Sequence, residues 1–350
     1  MIRSEFWHGK KVLLTGHTGF KGSWLSIWLQ NLGTDVCGLS LAPGTNPSLF
    51  ELARASDGMR SHIEDIRDFG AVSKICQDFS PEIIIHMAAQ PLVRKSYLDP
   101  IETYSTNVMG TVNILEAARA CKTVKAIVCI TTDKCYENKE WTWGYRETEA
   151  MGGHDPYSSS KGCAELICGA YRRSFLQENG VLLATARAGN VIGGGDWSDD
   201  RLVPDILRAL EADQTLKVRN PNSIRPWQHV LEPLSGYLML AQKLYEGDHN
   251  ATGAWNFGPW EQDAKDVDFI CKEFFNHWGG GRTFKRQHGD HPHEATYLKL
   301  DISKARNELN WEPKWRISYA IKQIVSWHRG YLSNVNLRKL CELQIREYCT

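Results

Sequence analysis

Tyr157-Ser158-Ser159-Ser160-Lys161 sets a phenol and an ammonium four residues apart, a spacing that places both on one face of a helix. Such pairs arise often by chance, so the surroundings decide. The run Cys129-Ile130-Thr131-Thr132 ends in a hydroxyl, and strand C-termini are where open parallel sheets bind ligands. Thr132, Tyr157 and Lys161 then make the set of groups that takes a proton from an alcohol as a hydride departs. A free phenol has a pKa of about 10, and neighbouring positive charge favours the phenolate, bringing it toward the range of a working base.

A hydride needs an acceptor, and Thr15-Gly16-His17-Thr18-Gly19-Phe20-Lys21-Gly22 reads as a turn that holds one. Its glycines fall as G-x-x-G-x-x-G between a strand and a helix. Gly16 allows the tight turn, Gly19 lets backbone approach a pyrophosphate, and Gly22 lets helix pack on strand. The helix N-terminus adds free N–H groups and partial positive charge. Lys21 is a cation in that first turn, where it is locally unfavourable, and a bound anion would explain it. The second strand ends in Ser40-Leu41. It lacks both the carboxylate that holds an NAD ribose and an Arg for an NADP phosphate, so the strand end leaves that choice open. Asp65-Ile66, after the third strand, is the local candidate for the adenine, with an ordinary strand-end aspartate as the alternative.

The elements that must position these groups alternate along the first half. Strands are expected at Lys11–Thr15, Asp35–Ser40, Ser61–Asp65, Glu82–His86, Lys125–Thr131 and Val181–Ala186, with helices at Trp24–Asn31, Asp68–Phe79, Tyr104–Ala120 and Ser158–Gln177. Continuous apolar strands between amphipathic helices specify an α/β fold, a Rossmann-type doubly wound parallel sheet covered on both faces. After Gly189 glycine, proline, tryptophan and charge mix, with a helix at Val203–Glu211. A helix at Leu231–Leu244 and a strand at Ala254–Phe257 return to the first style, and helices follow at Val267–His277 and Tyr319–Tyr331. The expected division is residues 1–189 plus about 229–260 as a dinucleotide-binding domain. A smaller discontinuous α/β domain takes about 190–228 plus 261–350 and faces the substrate. Gly193-Gly194-Gly195 precedes Asp and Trp and is expected to be a flexible loop against the substrate.

Of the 350 residues, 41 are Lys or Arg and 41 are Asp or Glu, so the chain lacks the basic footprint of a nucleic-acid binder. Hydrophobic content of 42% and charged content of 23% are those of a globular protein. The ten cysteines are scattered with no C-x-x-C and read as reduced thiols. The first eight residues hold no secretion-type apolar stretch, and no run reaches the ~20 residues that span a bilayer. A cytoplasmic protein without membrane or nucleic-acid partners is expected. His288-Gly289-Asp290-His291-Pro292-His293-Glu294 matches no compact zinc spacing and is read as a polar loop near the substrate. No metal is expected.

With Asn107-Val108-Met109-Gly110-Thr111, the glycine turn, the strand-end threonine and the Tyr/Lys pair resemble the extended short-chain dehydrogenase/reductase family. Thr131-Thr132-Asp133-Lys134-Cys135-Tyr136-Glu137-Asn138, Arg187-Ala188-Gly189-Asn190-Val191-Ile192-Gly193-Gly194-Gly195-Asp196-Trp197 and Arg225-Pro226-Trp227-Gln228-His229-Val230 are similar to its sugar-nucleotide dehydratase group. These motifs run from residue 10 to about 315. The resemblance implies NAD as cofactor and an internal redox dehydration of CDP-D-glucose. C4 is oxidised, water is lost across C5 and C6, and hydride returns to C6, giving CDP-4-dehydro-6-deoxy-D-glucose as a precursor of surface-polysaccharide deoxysugars.

The same resemblance implies roles. Asp133 is the acid for the C6 hydroxyl and Lys134 the base at C5, or, protonated, a stabiliser of an enolate at O4. Relatives of the dTDP-glucose type carry Asp-Glu here, so Lys134 departs from them. Ala88, Ala89, Gln90 and Asn107 join Gly16, Thr18, Gly19, Phe20, Lys21, Gly22, Ser40, Asp65, Ile66, Tyr157 and Lys161 around the cofactor. Thr132, Asn190, Arg201, Lys217, Arg225 and Tyr297 face the substrate, Arg forks and Lys charge suiting phosphate oxygens. A homodimer or homotetramer is implied, through Tyr104–Ala120 and Ser158–Gln177. The competing readings are a nucleotide-sugar 4-epimerase or reductase, which needs no elimination acid, and a non-catalytic NAD-binding regulator.

Overall fold

The computed structural model describes residues 2–286 and 297–350, so the histidine-rich segment 288–294 lies outside the described residues. Seven strands form one sheet: Lys11–Thr15 (β1), Asp35–Ser40 (β2), Arg60–Ile63 (β3), Ile83–His86 (β4), Ala126–Ile130 (β5), Leu182–Ala188 (β6) and Gly253–Phe257 (β7). Their spatial order is β7-β6-β5-β4-β1-β2-β3, and every neighbouring pair is parallel. The order reverses between β1 and β4, opening a crevice at their C-terminal ends. The interior strands are apolar because helices cover both faces; every residue of β4, β5 and β6 is buried. β3 closes one edge, where a single neighbour leaves its four residues exposed.

Helix boundaries widen the expected ones. The first helix, Phe20–Asn31 (α1), starts four residues earlier than its apolar run suggests, taking Lys21 and Gly22 into its first turn. Pro100–Ala120 is one helical path interrupted by a π-turn at Ser105–Met109, with its final stretch Gly110–Ala120 (α2). Pro156–Tyr171 (α3) opens on Asp155, whose carboxylate accepts from Ser158 N, with Pro156 at its start. Leu231–Tyr245 (α4) packs on the same sheet face as α1. Ile317–Leu332 (α5) and Leu337–Cys349 (α6) end the chain.

The α6 helix went unread, although Leu337, Cys341, Ile345 and Tyr348 recur at helical spacing and are buried. It covers the outer side of α1, with Tyr348 edge-on to Trp28 and Arg338 bonded to Gln30. That explains why Gly22 through Leu29 are all buried in a helix with no polar face.

Two apolar clusters lie on the two faces of the sheet. A third gathers Ile192, Val203, Ile206, Trp227, Phe274 and Ile321 away from it. Small ladders support this outer part: Val191–Ile192 with Gln228–His229, Leu216–Val218 with Phe284–Arg286, and Ile224–Pro226 with Ala264–Asp266. The triglycine differs from expectation. Gly193, Gly194 and Gly195 are buried, and a Cβ would stand 2.9 Å from the Phe20 ring, 2.2 Å from Trp327 and 2.8 Å from Leu49, respectively. They are glycines because three side chains close on the backbone there, not because the loop moves.

Candidate active site

The glycine turn is tight for reasons its coordinates show. Gly16 has φ +77°, and a Cβ on it would approach Ala88 N to 2.8 Å. A Cβ on Gly22 would stand 2.0 Å from Gly16 O. Gly19 is exposed at the N-cap of α1, and no side chain caps that first turn. The unclaimed N–H groups and the helix dipole make a seat for an anion. These features fit the pyrophosphate of a dinucleotide. Thr15 Oγ1 accepts from Met87 N and Ala88 N at 3.0 and 3.1 Å, so the loop carrying Ala88 and Ala89 is fixed to the end of β1.

At the second strand's end Thr18 Oγ1 donates to Leu41 O and meets Ser40 Oγ, both at 2.8 Å. Asp65 gives its carboxylate to Arg67 at 2.6 and 2.8 Å, which holds it below the usual carboxylate range. Ile66 is buried against Gly110, where a Cβ would meet it at 2.5 Å. Asn107 lies in the π-turn and has its amide filled: Oδ1 accepts from Gln90 N, while Nδ2 donates to Gln90 O and Ser160 Oγ. It braces the loop after β4 against α3.

Lys21 has a partner far along the chain. Its amine turns away from the helix start, donating to the Tyr237 hydroxyl at 3.1 Å and lying 5.1 Å from that ring's centre. Burial and the charges of Lys161 and Arg201 lower it to about 7, while Asp133 pulls the other way.

Thr132, Asp133, Tyr157 and Lys161 come together beyond β5. Thr132 donates to Asp133 Oδ1 at 3.1 Å, and its hydroxyl works on the Tyr157 phenol to lower it. Lys161 Nζ donates to Ile130 O at 3.0 Å, and burial brings it down to about 8. Burial pushes Tyr157 up to about 12, against the Thr132 hydroxyl and the charge of Arg201. Burial also raises Asp133, opposed by Lys134, Thr132 and Arg225. Asp133 Oδ2 has no hydrogen-bond partner, and the bare Cα of Gly189 leaves it room: a Cβ there would stand 3.0 Å away. A carboxyl whose burial makes it hold its proton more tightly than in water, with one oxygen unclaimed, can serve as an acid.

The remaining positions divide. Arg201 pairs with Asp196 at 2.9 Å, and its charge acts on Tyr157 and Lys21. Arg225 is buried, with its charge on Asp133. Lys134 and Asn190 are half-buried at the ends of β5 and β6. Tyr297 bridges to Ile224 and its carbonyl accepts from Asn138. Lys217 stands exposed on the outer ladder, and no contact links it to the Thr132–Tyr157 centre. Tyr237 went unread in the sequence, and Gly189 and Asp196, quoted in a motif, were given no role, since no local spacing ties them to Tyr157. Among the described residues no group of three His, Cys, Asp or Glu side chains gathers to hold a metal.

A seven-strand parallel sheet, a glycine turn fitted to a dinucleotide and a Thr-Tyr-Lys centre define a Rossmann-type protein of the short-chain dehydrogenase/reductase kind. The family described as GDP-mannose 4,6 dehydratase matches residues 13–324, and the chain belongs to it. The chain is 54% identical over 353 residues to a CDP-glucose 4,6-dehydratase of Salmonella typhimurium, covering 99% of this chain and 98% of that one. A dTDP-glucose 4,6-dehydratase of the same organism is 25% identical, covering 93% of each. Among solved structures, a dTDP-glucose 4,6-dehydratase from Streptomyces venezuelae with NAD and TYD bound superposes with a TM-score of 0.79 at 21% identity, over 92% of this chain and 98% of that one. UDP-glucose 4-epimerase from Thermotoga maritima with UDP-glucose gives 0.80 at 21% identity, over 92% and 99%. These two structural likenesses speak for the fold.

Proposed function

We propose that the chain is an NAD-dependent CDP-glucose 4,6-dehydratase, converting CDP-D-glucose to CDP-4-dehydro-6-deoxy-D-glucose by an internal redox cycle. The observation that carries the substrate is the full-length 54% identity. The site's chemistry agrees with it through Asp133, a buried carboxyl raised by burial and set beside Thr132 and Tyr157.

Gly16, Gly19 and Gly22 would hold the pyrophosphate of NAD, and Tyr157 and Lys161 would border its nicotinamide end. Bound NAD would supply the hydride acceptor for C4, the donor for C6 and, while oxidised, a positive charge that favours the Tyr157 phenolate. Tyr157 then takes the proton of the C4 hydroxyl, with Thr132 orienting that oxygen. The resulting ketone acidifies the C5 hydrogen. Lys134 removes that proton, while Asp133 gives its own proton to the departing C6 hydroxyl. One water leaves, and a proton returns to C5. Arg201 and Arg225 carry the positive charge that suits a diphosphate.

Incubation with CDP-glucose and NAD, followed by product mass and the alkaline absorbance of a 4-keto-6-deoxy sugar, tests the reading. Loss of one water without net NADH is expected, and Asp133→Asn should stop water loss while leaving C4 oxidation measurable. An isomer of unchanged mass would instead make the protein an epimerase.

Residues 1–189 plus about 229–260 are assigned to the dinucleotide domain, and about 190–228 plus 261–350 to the sugar-nucleotide domain. The separate third apolar cluster supports an outer domain, but Trp311, Trp327, Leu337, Cys341, Ile345 and Tyr348 pack into the cluster on the sheet, so α6 goes with the dinucleotide domain. Homo-oligomerisation is assigned to the face bearing Leu98, Ile101, Tyr104, Met109 and Leu166, all exposed. No helix among the described residues is long and apolar enough to cross a membrane. The ten cysteines are unpaired, which supports a reducing, cytoplasmic setting.

A further inference from the structure

Glu165 lies one turn beyond Lys161 on α3, and its carboxylate meets the guanidinium of Arg187 on β6 as a fork, Nε to Oε1 at 2.9 Å and Nη2 to Oε2 at 2.8 Å. Both side chains are buried. Thr185 Oγ1 donates to Oε2 at 2.7 Å, and Thr131 Oγ1 donates to Oε1. On the other side, Arg187 Nη1 donates to the Tyr136 hydroxyl at 2.7 Å and to Glu147 O at 3.1 Å. Tyr136 passes its own proton to Asn256 Oδ1 at 2.8 Å. Burial alone would raise Glu165, but the bonds and charge of Arg187 outweigh it and keep the carboxyl below its ordinary range. A buried pair satisfied on both members holds one geometry; removing a partner leaves an uncompensated group.

Thr131 and Tyr136 bracket the turn that carries Thr132, Asp133 and Lys134. Between them the chain makes only a short 3-10 turn, Asp133–Cys135. One ion pair therefore grips both ends of the turn, Glu165 at Thr131 and Arg187 at Tyr136. Of the oxidation groups, Lys161 is anchored on Ile130 O, outside the bracket, and Tyr157 shares its helix, while Thr132 lies within the bracket beside both steps. We propose that Glu165 and Arg187 are positioning residues for the elimination step, holding Asp133 and Lys134 against the C5–C6 edge of the sugar. The inference rests on the dehydratase reading above.

Tyr136→Phe removes one hydroxyl and keeps the ring stacked on Tyr145 at 5.1 Å, and Thr131→Val removes the hydroxyl at the other end. Neither empties the core. Full-length protein with CDP-glucose and NAD is followed in single turnover, reading reduced cofactor and 4-keto sugar against dehydrated product. Both variants should let reduced cofactor and 4-ketoglucose accumulate and lower kcat by up to about 10²-fold, the scale of a reacting group misplaced by an ångström. KM and cofactor affinity should stay at wild-type values. A lower melting temperature with an unchanged balance between oxidation and water loss would overturn the positioning role and leave the dehydratase reading standing. Wild-type protein inactive on CDP-glucose would overturn both.

Discussion

Tyr157 is asked to be a base while burial pushes it up to about 12, so its environment must supply positive charge at the moment of proton transfer. Tyr157→Phe keeps the ring and removes the acceptor. We expect kcat to fall by about 10³-fold, within the range for a lost general base, with CDP-glucose affinity by calorimetry unchanged. A variant retaining most of its turnover would move the base elsewhere. Tyr157, Lys161 and Thr132 were legible because spacing and a strand end are local properties. Glu165 and Arg187 were not: 22 residues separate them, and only the pairing of β5 with β6, under α3, brings them together. Lys21 was legible in place but not in direction, since the tyrosine it reaches is far along the chain on α4.

At the scale of elements, α6 fastens onto the first turn of α4. Glu232 is wholly buried there and accepts from Lys314 N, Trp315 N and the Tyr348 hydroxyl at 3.0, 2.7 and 2.6 Å. Burial nevertheless raises it to about 7, above an unfolded value of about 4.3. The folded chain thus binds this proton more tightly than the unfolded one. The stabilisation is fully present below about 4.3 and is lost as pH rises through about 7. Glu232→Gln cannot ionise, so its melting temperature should gain on wild type steadily from pH 5 to pH 8. Parallel curves would show that Glu232 stays neutral or charged throughout. The sheet and its helices followed from period and composition, whereas α6 was missed because its polar face dilutes a short apolar stripe. The triglycine misled for a related reason: glycine marks both mobile loops and close contacts, and only Phe20, Trp327 and Leu49 decide which.

For the whole molecule, Ile101 at 81% exposure beside Tyr104 and Met109 leaves an apolar face that a lone protomer would expose to water. Ile101→Glu should lower the oligomeric mass in sedimentation velocity while leaving near-ultraviolet circular dichroism unchanged. An unaltered mass would place the contact on another face.

The sheet's outermost strand beside β6 comes from residues 253–257, more than sixty positions after β6 ends at 188. A ribosome delivers those segments in order. Until β7 emerges, β6 presents an unpaired parallel edge of Leu, Ala and Thr with one Arg, the kind of surface that recruits other strands. Closing that edge also brings in α4, whose apolar residues complete the cluster on one sheet face. Parallel pairing across so long a gap is slow. Nascent chains halted between residues 188 and 253 should therefore be the aggregation-prone species, and the outer region inserted there sets how long that vulnerability lasts during synthesis.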